Sequence, residues 1–220
     1  MSGARVIAID GPSASGKSTV ARRLSGELGW LYVDSGALYR AAAWLALKSG
    51  VRADDEAALS DMLDAAGVTF FVRDGAVRFR VGECEPVSEL RTDEINRWVS
   101  PVAAQPGVRR RVVAWLRGMT RFGPLVMEGR DIGTAVFPET PHKFYLDASA
   151  EERARRRHLE EGGAAREAVG RSLAARDAID STRKTDPLRE ADGAVRIDST
   201  SMTIEGVVSV ILGRIGAGGS

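Results

Sequence analysis

The chain has 220 residues and a formal net charge of +1, because 31 basic side chains are almost balanced by 30 acidic ones. This length fits one compact α/β domain with small inserts. The balanced charge argues against a nucleic-acid-binding or membrane-surface protein, and the single cysteine, Cys84, excludes an internal disulfide and fits a reducing compartment.

Two strand–helix units are predicted at the start of the chain. VIAID at residues 6–10 is a short apolar run, and residues 17–28 carry apolar side chains at helical spacing until Gly29. LYV at residues 31–33 is a second short strand, followed by a helix over about 36–47. The first run is too short for a secretory signal or a membrane span, so we expect a cytoplasmic protein.

Three later apolar runs predict further strands, at residues 124–127, 143–147 and 195–198. Strands that alternate with helices favour a doubly wound parallel sheet.

Two segments interrupt this alternation. VTFFVR and AVRFRV flank Asp74-Gly75, which predicts a small antiparallel β insert. Residues 150–187 form two highly charged helical segments around Gly162-Gly163, with few apolar anchors, and we expect them to be mobile.

The predicted organisation is therefore a single domain. Its core covers about 1–62, 106–149 and 188–215, with a small β insert at about 63–105 and a charged helical segment at about 150–187. The glycine-rich end, about 216–220, is expected to be disordered.

The stretch GPSASGKS matches the phosphate-binding pattern G-x-x-x-x-G-K-[ST] and lies between a predicted strand and a predicted helix. Its backbone amides can wrap an anion, Lys17 can reach the β and γ phosphates, and the Ser18 hydroxyl can hold Mg²⁺. We therefore predict that the chain binds a nucleoside triphosphate together with Mg²⁺. The residues expected to contact the nucleotide are Gly11, Pro12, Ser13, Ala14, Ser15, Gly16, Lys17, Ser18 and Thr19.

This loop alone leaves a GTPase switch, an ATPase motor and a small-molecule kinase open. The chain has no N-K-x-D guanine motif, and a kinase would need a second pocket. DSGALYR, residues 34–40, follows the second strand and so lies at the carboxyl edge of the sheet, where such folds bind ligands. Ser35 is a natural N-cap of the next helix, and Asp34 fits either a magnesium role or a structural one.

Two more polar motifs support a second pocket. EGRDIGTAVFP begins after the strand at 124–127 and places Arg130 and Asp131 at another strand end. RDAIDSTR sets Arg176, Asp180 and Arg183 on one helix face, although a ladder of solvated ion pairs would have the same spacing.

Together, GPSASGKST, DSGALYR, EGRDIGTAVFP, RDAIDSTRKTDPL and IDSTSMTIEGVV resemble the bacterial cytidylate kinases in order and spacing, over about residues 5–210. The resemblance implies a P-loop NTPase-type fold: a parallel sheet flanked by helices, with a small antiparallel β insert in the acceptor-binding region and a helical lid. It also implies ATP-dependent phosphorylation of CMP and dCMP to the diphosphates.

The resemblance assigns roles by motif. Ser35 and Arg40 would lie on the acceptor side, with Arg40 on the phosphate of CMP. Ser100 and Arg109 would contact the cytosine ring. Arg130 would bind the acceptor phosphate, and Asp131 would bind the exocyclic amine of cytosine. Asp180 and Arg183 would hold the sugar hydroxyl and reach phosphate, and Arg176 would contact the transferring group.

Lys17, Arg130 and Arg176 are then the expected catalytic cations, and no general base is needed because the attacking phosphate is already anionic. The chain departs from the family pattern in part: Ser18 stands where many relatives have glycine, Pro101 follows Ser100, and Lys184 and Asp186 lie in a variable part of the lid.

The expected partners are small nucleotides, without nucleic acid or membrane, and the chain is expected to be a monomer. The alternatives are a kinase of the same fold for UMP, AMP or shikimate, and an ATP-binding module without transfer activity.

Overall fold

The fold is described from a computed structural model, which covers residues 6–161 and 166–217. The glycine pair predicted to separate the two lid helices lies outside the described residues. Of the predicted disordered end, 216 and 217 instead continue the last helix, and 218–220 lie outside the described residues.

The described residues form a seven-stranded sheet and eight α-helices. The strands are β1 Val6–Asp10, β2 Leu31–Asp34, β3 Val68–Arg73, β4 Ala76–Val81, β5 Leu125–Gly129, β6 His142–Asp147 and β7 Val195–Asp198. The helices are α1 Lys17–Leu28, α2 Ser35–Ser49, α3 Glu56–Ala65, α4 Asp93–Ala103, α5 Pro106–Gly118, α6 Ala150–Glu161, α7 Arg166–Thr182 and α8 Ile204–Ala217. Short 3-10 turns occur at Glu89–Arg91 and Met119–Phe122, and a π-helical turn at Ile132–Val136.

The sheet has the strand order β3-β4-β2-β5-β1-β6-β7 and is parallel except for the β3–β4 pair. This confirms the predicted parallel sheet with one antiparallel hairpin. The hairpin turns at Asp74 and Gly75, whose φ angles of 51° and 68° are those of a tight two-residue turn. Its strand β4 pairs with β2 at Tyr32 and Ala76, so the hairpin extends the edge of the main sheet.

The register of the central strands brings several polar residues to one edge. Asp10 at the end of β1 lies beside Gly129 of β5, and Asp34 at the end of β2 lies beside Glu128. Because β1, β2 and β5 are parallel neighbours, their carboxyl ends form one continuous platform, where open α/β sheets bind ligands.

Helices cover both faces of this sheet and hold the platform in place. One apolar layer packs α2, α3, α4 and α5 against the sheet, through residues such as Leu38, Leu59 and Val108. The opposite layer packs α1 and α8, through residues such as Val20 and Ile211. Among the described helices, none combines the length and the apolar character needed to cross a bilayer.

The start of α2 differs from the prediction. Asp34, not Ser35, is the N-cap, and its carboxylate accepts a hydrogen bond of 3.0 Å from the backbone N–H of Ala37. Ser35 is the first helical residue, and its hydroxyl donates to the backbone oxygen of Glu128 at 2.7 Å. Both residue types cap helices well, so the sequence did not distinguish them, and the capping of α2 is one role that Asp34 fills.

Candidate functional site

The loop between β1 and α1 has backbone φ angles that few residue types other than glycine adopt. Gly11 has a φ of 149°, and a Cβ there would lie 2.0 Å from the backbone oxygen of Leu146. Gly16 has a φ of 93°, and Ala14 has a φ of 59°. Because this loop leads directly into the N-terminus of α1, its form is that of an anion-binding loop at a helix N-terminus.

Lys17 folds back over this loop. Its Nζ donates to the backbone oxygen of Pro12 at 2.6 Å and to the hydroxyl of Ser15 at 3.3 Å. Burial, together with the nearby charge of Arg130, lowers the pKa of Lys17 to about 7. An anion bound in the loop would favour the charged form of Lys17, so the site is electrostatically incomplete without one.

Glu128, at the end of β5, is a buried carboxylate that the sequence analysis missed. The Ser18 hydroxyl donates to its Oε1 at 2.5 Å, and the Tyr32 hydroxyl donates to the same atom at 3.3 Å. Burial, together with the charge of Asp34, raises the pKa of Glu128. The signal available in the sequence for Glu128 was its position at a strand end, just before Arg130 and Asp131.

These groups suit Mg²⁺ chemically. Ser18, Glu128 and Asp34 offer hydroxyl and carboxylate oxygens beside the phosphate loop, and Mg²⁺ prefers oxygen ligands while keeping several waters. Two neighbouring carboxylates that repel each other would be relieved by a cation. Within the described residues, no cluster of three or more His, Cys, Asp or Glu is placed to hold a metal ion.

Arginines from three different elements meet across from this loop. Burial lowers the pKa of Arg40, with a further contribution from Arg130. Burial and the charges of Arg40 and Arg130 lower the pKa of Arg176 to about 10. The Nε of Arg176 is buried and has no hydrogen-bond partner among the described residues. A concentration of guanidinium groups that destabilise one another is typical of a site for a multiply charged anion.

Arg130 joins this cluster to the rest of the site. It donates to the Asp180 carboxylate at 3.0 Å and to the Ser13 hydroxyl at 2.7 Å. Its loop is fixed from below by Asp10, whose two carboxylate oxygens accept from the backbone N–H groups of Ile132 and Gly133 at 2.8 and 2.7 Å. Asp10 is therefore the anchor that holds Arg130 and its neighbour above the sheet.

Asp131 lies at the back of the cleft between two arginines. Arg109 donates to its Oδ2, and a terminal nitrogen of Arg183 is 3.5 Å from its Oδ1. Burial raises the pKa of Asp131, whereas Arg109 and Arg183 oppose that rise. Next to this group, the Ser100 hydroxyl donates to Asp180 at 3.1 Å.

Helices α6 and α7, the segment expected to form a lid, contact the phosphate loop directly. Asp177 of α7 accepts a hydrogen bond of 3.0 Å from the backbone N–H of Ser13. Arg153 of α6 donates to the same carboxylate and to the Ser13 oxygen. Arg156 donates to the Ser15 oxygen at 3.1 Å. In this structure α6 and α7 therefore rest on the loop through polar contacts.

One cleft of about 1410 Å³ joins these groups. Most of the predicted site residues line it, namely Ser13, Ala14, Gly16, Lys17, Ser18, Thr19, Asp34, Ser35, Arg40, Ser100, Arg130, Asp131, Arg176, Asp180 and Arg183. Gly11, Pro12, Ser15 and Arg109 are not among its lining residues. Arg109 is only 1% exposed and lies behind Asp131, so it meets the cleft through that carboxylate.

The phosphate loop and the buried arginines that share one cleft with it define the class of the protein: a P-loop kinase. The family model described as cytidylate kinase matches residues 7–216. The chain belongs to the cytidylate kinase family.

Curated relatives agree with this family over nearly their whole length. The chain is 44% identical over 213 residues to a cytidylate kinase of Geobacillus sp., which covers 94% of each chain. It is 42% identical over 212 residues to one of Geobacter sp., covering 94% of this chain and 90% of the relative. A third, from Pelotomaculum thermopropionicum, is 43% identical over 217 residues and 96% of each chain.

Solved structures share the fold at low sequence identity. An uncharacterized protein from Eubacterium ventriosum superposes with a TM-score of 0.53 at 12% identity, covering 98% of this chain and 99% of that one. A gluconokinase from Sinorhizobium meliloti gives a TM-score of 0.50 at 15% identity, covering 97% and 94%. At these identities the comparison establishes the fold alone.

Proposed function

We propose that the chain transfers the terminal phosphoryl group of ATP to the phosphate of CMP or dCMP, giving ADP and CDP or dCDP. The observation that carries this proposal is the arrangement of Arg40, Arg130 and Arg176 opposite the phosphate loop in one cleft. Two anionic ligands can lie end to end there, and membership of the cytidylate kinase family supports cytidine monophosphate as the acceptor.

The transfer needs positioning and positive charge more than bond-making groups. The P–O bond to ADP breaks while an oxygen of the acceptor phosphate bonds to the moving phosphorus, and charge spreads over the equatorial oxygens. In our proposal Lys17, Arg130 and Arg176 stabilise that charge, and Arg40 holds the acceptor phosphate. The acceptor oxygen is already anionic, so no side chain has to remove a proton.

A bound Mg²⁺ would neutralise phosphate charge during transfer. We assign its protein ligands to Ser18 and Glu128, with Asp34 as a further carboxylate that also caps α2. The remaining loop residues, Gly11, Pro12, Ser13, Ala14, Ser15, Gly16 and Thr19, would enclose the ATP phosphates, mainly with backbone amides.

Base selection is assigned to the back of the cleft. Cytosine presents an exocyclic amine where uracil presents a carbonyl, so the Asp131 carboxylate attracts the first and repels the second. Ser100 and Asp180 lie beside this position, with Asp180 and Arg183 proposed for the sugar. Arg109 is assigned to support Asp131 from behind.

In domain terms, α6 and α7 serve as the lid over the phosphates, and the β3–β4 hairpin with α4 borders the acceptor side. The partners we propose are small nucleotides, without nucleic acid or a membrane, and the chain would act as a cytoplasmic monomer. The balanced charge and the single cysteine support this setting.

The direct test is a coupled assay of ADP formation with CMP, dCMP, UMP and AMP as acceptors, and shikimate as a non-nucleotide control. We expect CMP and dCMP to be preferred over the others by at least about 10-fold in kcat/KM. Preference for another acceptor, or ATP binding without turnover, would refute the proposal.

Asp131→Ala tests the base assignment in the same assay. Loss of a buried polar partner costs about 1 to 3 kcal/mol, so we expect KM for CMP to rise about 10-fold or more while KM for ATP changes less than about 3-fold. Asp192→Ala, an exposed carboxylate that does not line the cleft, is the control and should leave both KM values unchanged. Equal effects on CMP and ATP would contradict the assignment of Asp131.

A further inference from the structure

Asp186 follows the lid helix α7 and contacts both arginines that flank Asp131. It is half-buried, does not line the cleft, and has a positive φ of 46°, which aspartate tolerates better than most residues. Its side chain and its backbone oxygen point to different partners.

The side chain of Asp186 fixes one edge of the Arg109 guanidinium. The Nε of Arg109 donates to its Oδ2 at 2.9 Å, Nη1 is 3.4 Å from the backbone oxygen of Ala103, and Nη2 donates to Asp131. The face of the guanidinium lies 5.4 Å from the ring centre of Tyr39. Arg109 is therefore held at all three guanidinium nitrogens and on one face, and its orientation has little freedom.

The backbone oxygen of Asp186 fixes the second arginine. It accepts from both Nε and Nη2 of Arg183, the first at 2.7 Å. A terminal nitrogen of Arg183 then lies 3.5 Å from Oδ1 of Asp131, too far for a good hydrogen bond. The Oδ1 atom of Asp131 is thus accompanied by positive charge but keeps capacity to accept from a ligand.

We propose that Asp186 is a positioning residue for acceptor selection, because it keeps Arg109 bound to only one oxygen of Asp131 and so leaves the other oxygen for an exocyclic amine. An arginine fork and a carboxylate prefer a two-point contact. With Nε occupied by Asp186, that contact is blocked. Without Asp186, Arg109 would turn its free Nε toward Asp131 and consume the oxygen that reads the base. The inference rests on the proposed function, in which Asp131 receives the amine of cytosine.

The test compares two substitutions that both suit a positive φ. Asp186→Gly removes the carboxylate and keeps the backbone oxygen for Arg183, while Asp186→Asn keeps an oxygen that can accept from Nε of Arg109. We expect Asp186→Gly to raise KM for CMP about 10-fold and to lower the preference for CMP over UMP by a similar factor, with KM for ATP changing less than about 2-fold. Asp186→Asn should recover most of the wild-type KM for CMP. Asp192→Gly, with an exposed carboxylate in the same connecting segment, is the matched control.

Three outcomes separate this inference from the proposed function. If Asp131→Ala impairs CMP use and Asp186→Gly does not, the positioning role of Asp186 is wrong and the base assignment stands. If Asp186→Gly raises KM for CMP and for ATP alike, or if Asp186→Asn is as impaired as Asp186→Gly, the residue acts on the fold or through charge alone and the inference is also wrong. If the wild-type protein does not phosphorylate CMP, the proposed function fails and the inference fails with it.

Discussion

At the scale of single residues, Arg176 illustrates a group that fits its site poorly until an anion arrives. Its neighbours Arg40 and Arg130 are cations, its Nε is unpartnered within the described part of the chain, and burial with these charges lowers its pKa to about 10. Such a residue weakens the ligand-free protein, and in the proposed function it acts on the transferring phosphoryl group. Activity and stability should therefore respond to its removal in opposite directions.

We expect Arg176→Met to lower kcat about 100-fold or more, because arginines that stabilise the charge of a transferring phosphoryl group contribute that much. KM for ATP should change little. The free energy of unfolding without nucleotide should rise by ~1 kcal/mol, since like-charge repulsion is relieved. Steady-state kinetics and urea unfolding measure the two effects.

Arg171→Met is the control for this change, because Arg171 lies exposed on the same helix. It should leave kcat and stability within experimental error. A kcat for Arg176→Met that matches the control would remove Arg176 from the transfer step.

The sequence motifs predicted the residues that face the cleft better than the residues that support them. Lys17, Arg40, Arg130 and Arg176 belong to motifs in which spacing carries the chemistry. Glu128 also lines the cleft but was missed, because its contact with Ser18 joins positions 110 residues apart. A partner at that separation is set by the pairing of β1, β2 and β5, which no local pattern encodes.

At the scale of elements, the strands and the hairpin were predictable because apolar runs and Asp74-Gly75 are local signals. Helix α3 was not predicted, although Asp55 as its cap and Leu59 and Leu63 at a four-residue step were available. The segment of α6 and α7 was predicted to be charged and helical, but its docking on the loop depends on Asp177, which accepts from Ser13 across 164 positions.

Asp177 gives a prediction for the lid as an element. Asp177→Ala removes the acceptor for the Ser13 N–H and the partner of Arg153, so the lid loses its hydrogen bond to that amide. We expect faster hydrogen exchange of the α7 amides without nucleotide, by about 10-fold or more, because one hydrogen bond to a charged group contributes about 1.5 to 3 kcal/mol. In the wild-type protein, adding ATP and CMP together should slow exchange in α6 and α7.

Glu167→Ala is the matched variant, since Glu167 is an exposed acid in the first turn of α7. Its exchange rates should follow the wild type. If Asp177→Ala and Glu167→Ala exchange alike, the contact with Ser13 does not hold the lid down.

At the scale of the whole molecule, a net charge of +1 conceals a site in which buried charges are concentrated. Burial raises the pKa of Asp10 from 3.8 to about 7, and burial with Arg130 lowers that of Lys17 from 10.5 to about 7. Between about pH 4 and 7 the folded protein binds more protons at Asp10 than the unfolded chain, so this group makes stability fall as pH rises. Between about pH 7 and 10 the unfolded chain binds more protons at Lys17, so this group makes stability rise.

These two groups together predict a minimum in the stability of the nucleotide-free protein near pH 7, which urea unfolding from pH 5 to pH 10 can measure. Lys17→Met removes the rise in stability between about pH 7 and 10. The free energy of unfolding of the wild type minus that of Lys17→Met should therefore increase from pH 7 to pH 10, on the order of 2 kcal/mol. Lys48→Met, which removes an exposed lysine stacked on Trp44, should give a difference that does not increase in this way.

A bound phosphate group would keep Lys17 charged in the folded state, so saturating ATP should flatten the wild-type rise in stability above pH 7. A difference for Lys17→Met that is constant with pH would show that Lys17 stays fully charged in the empty loop, and would contradict the view that the site is electrostatically incomplete without its anion.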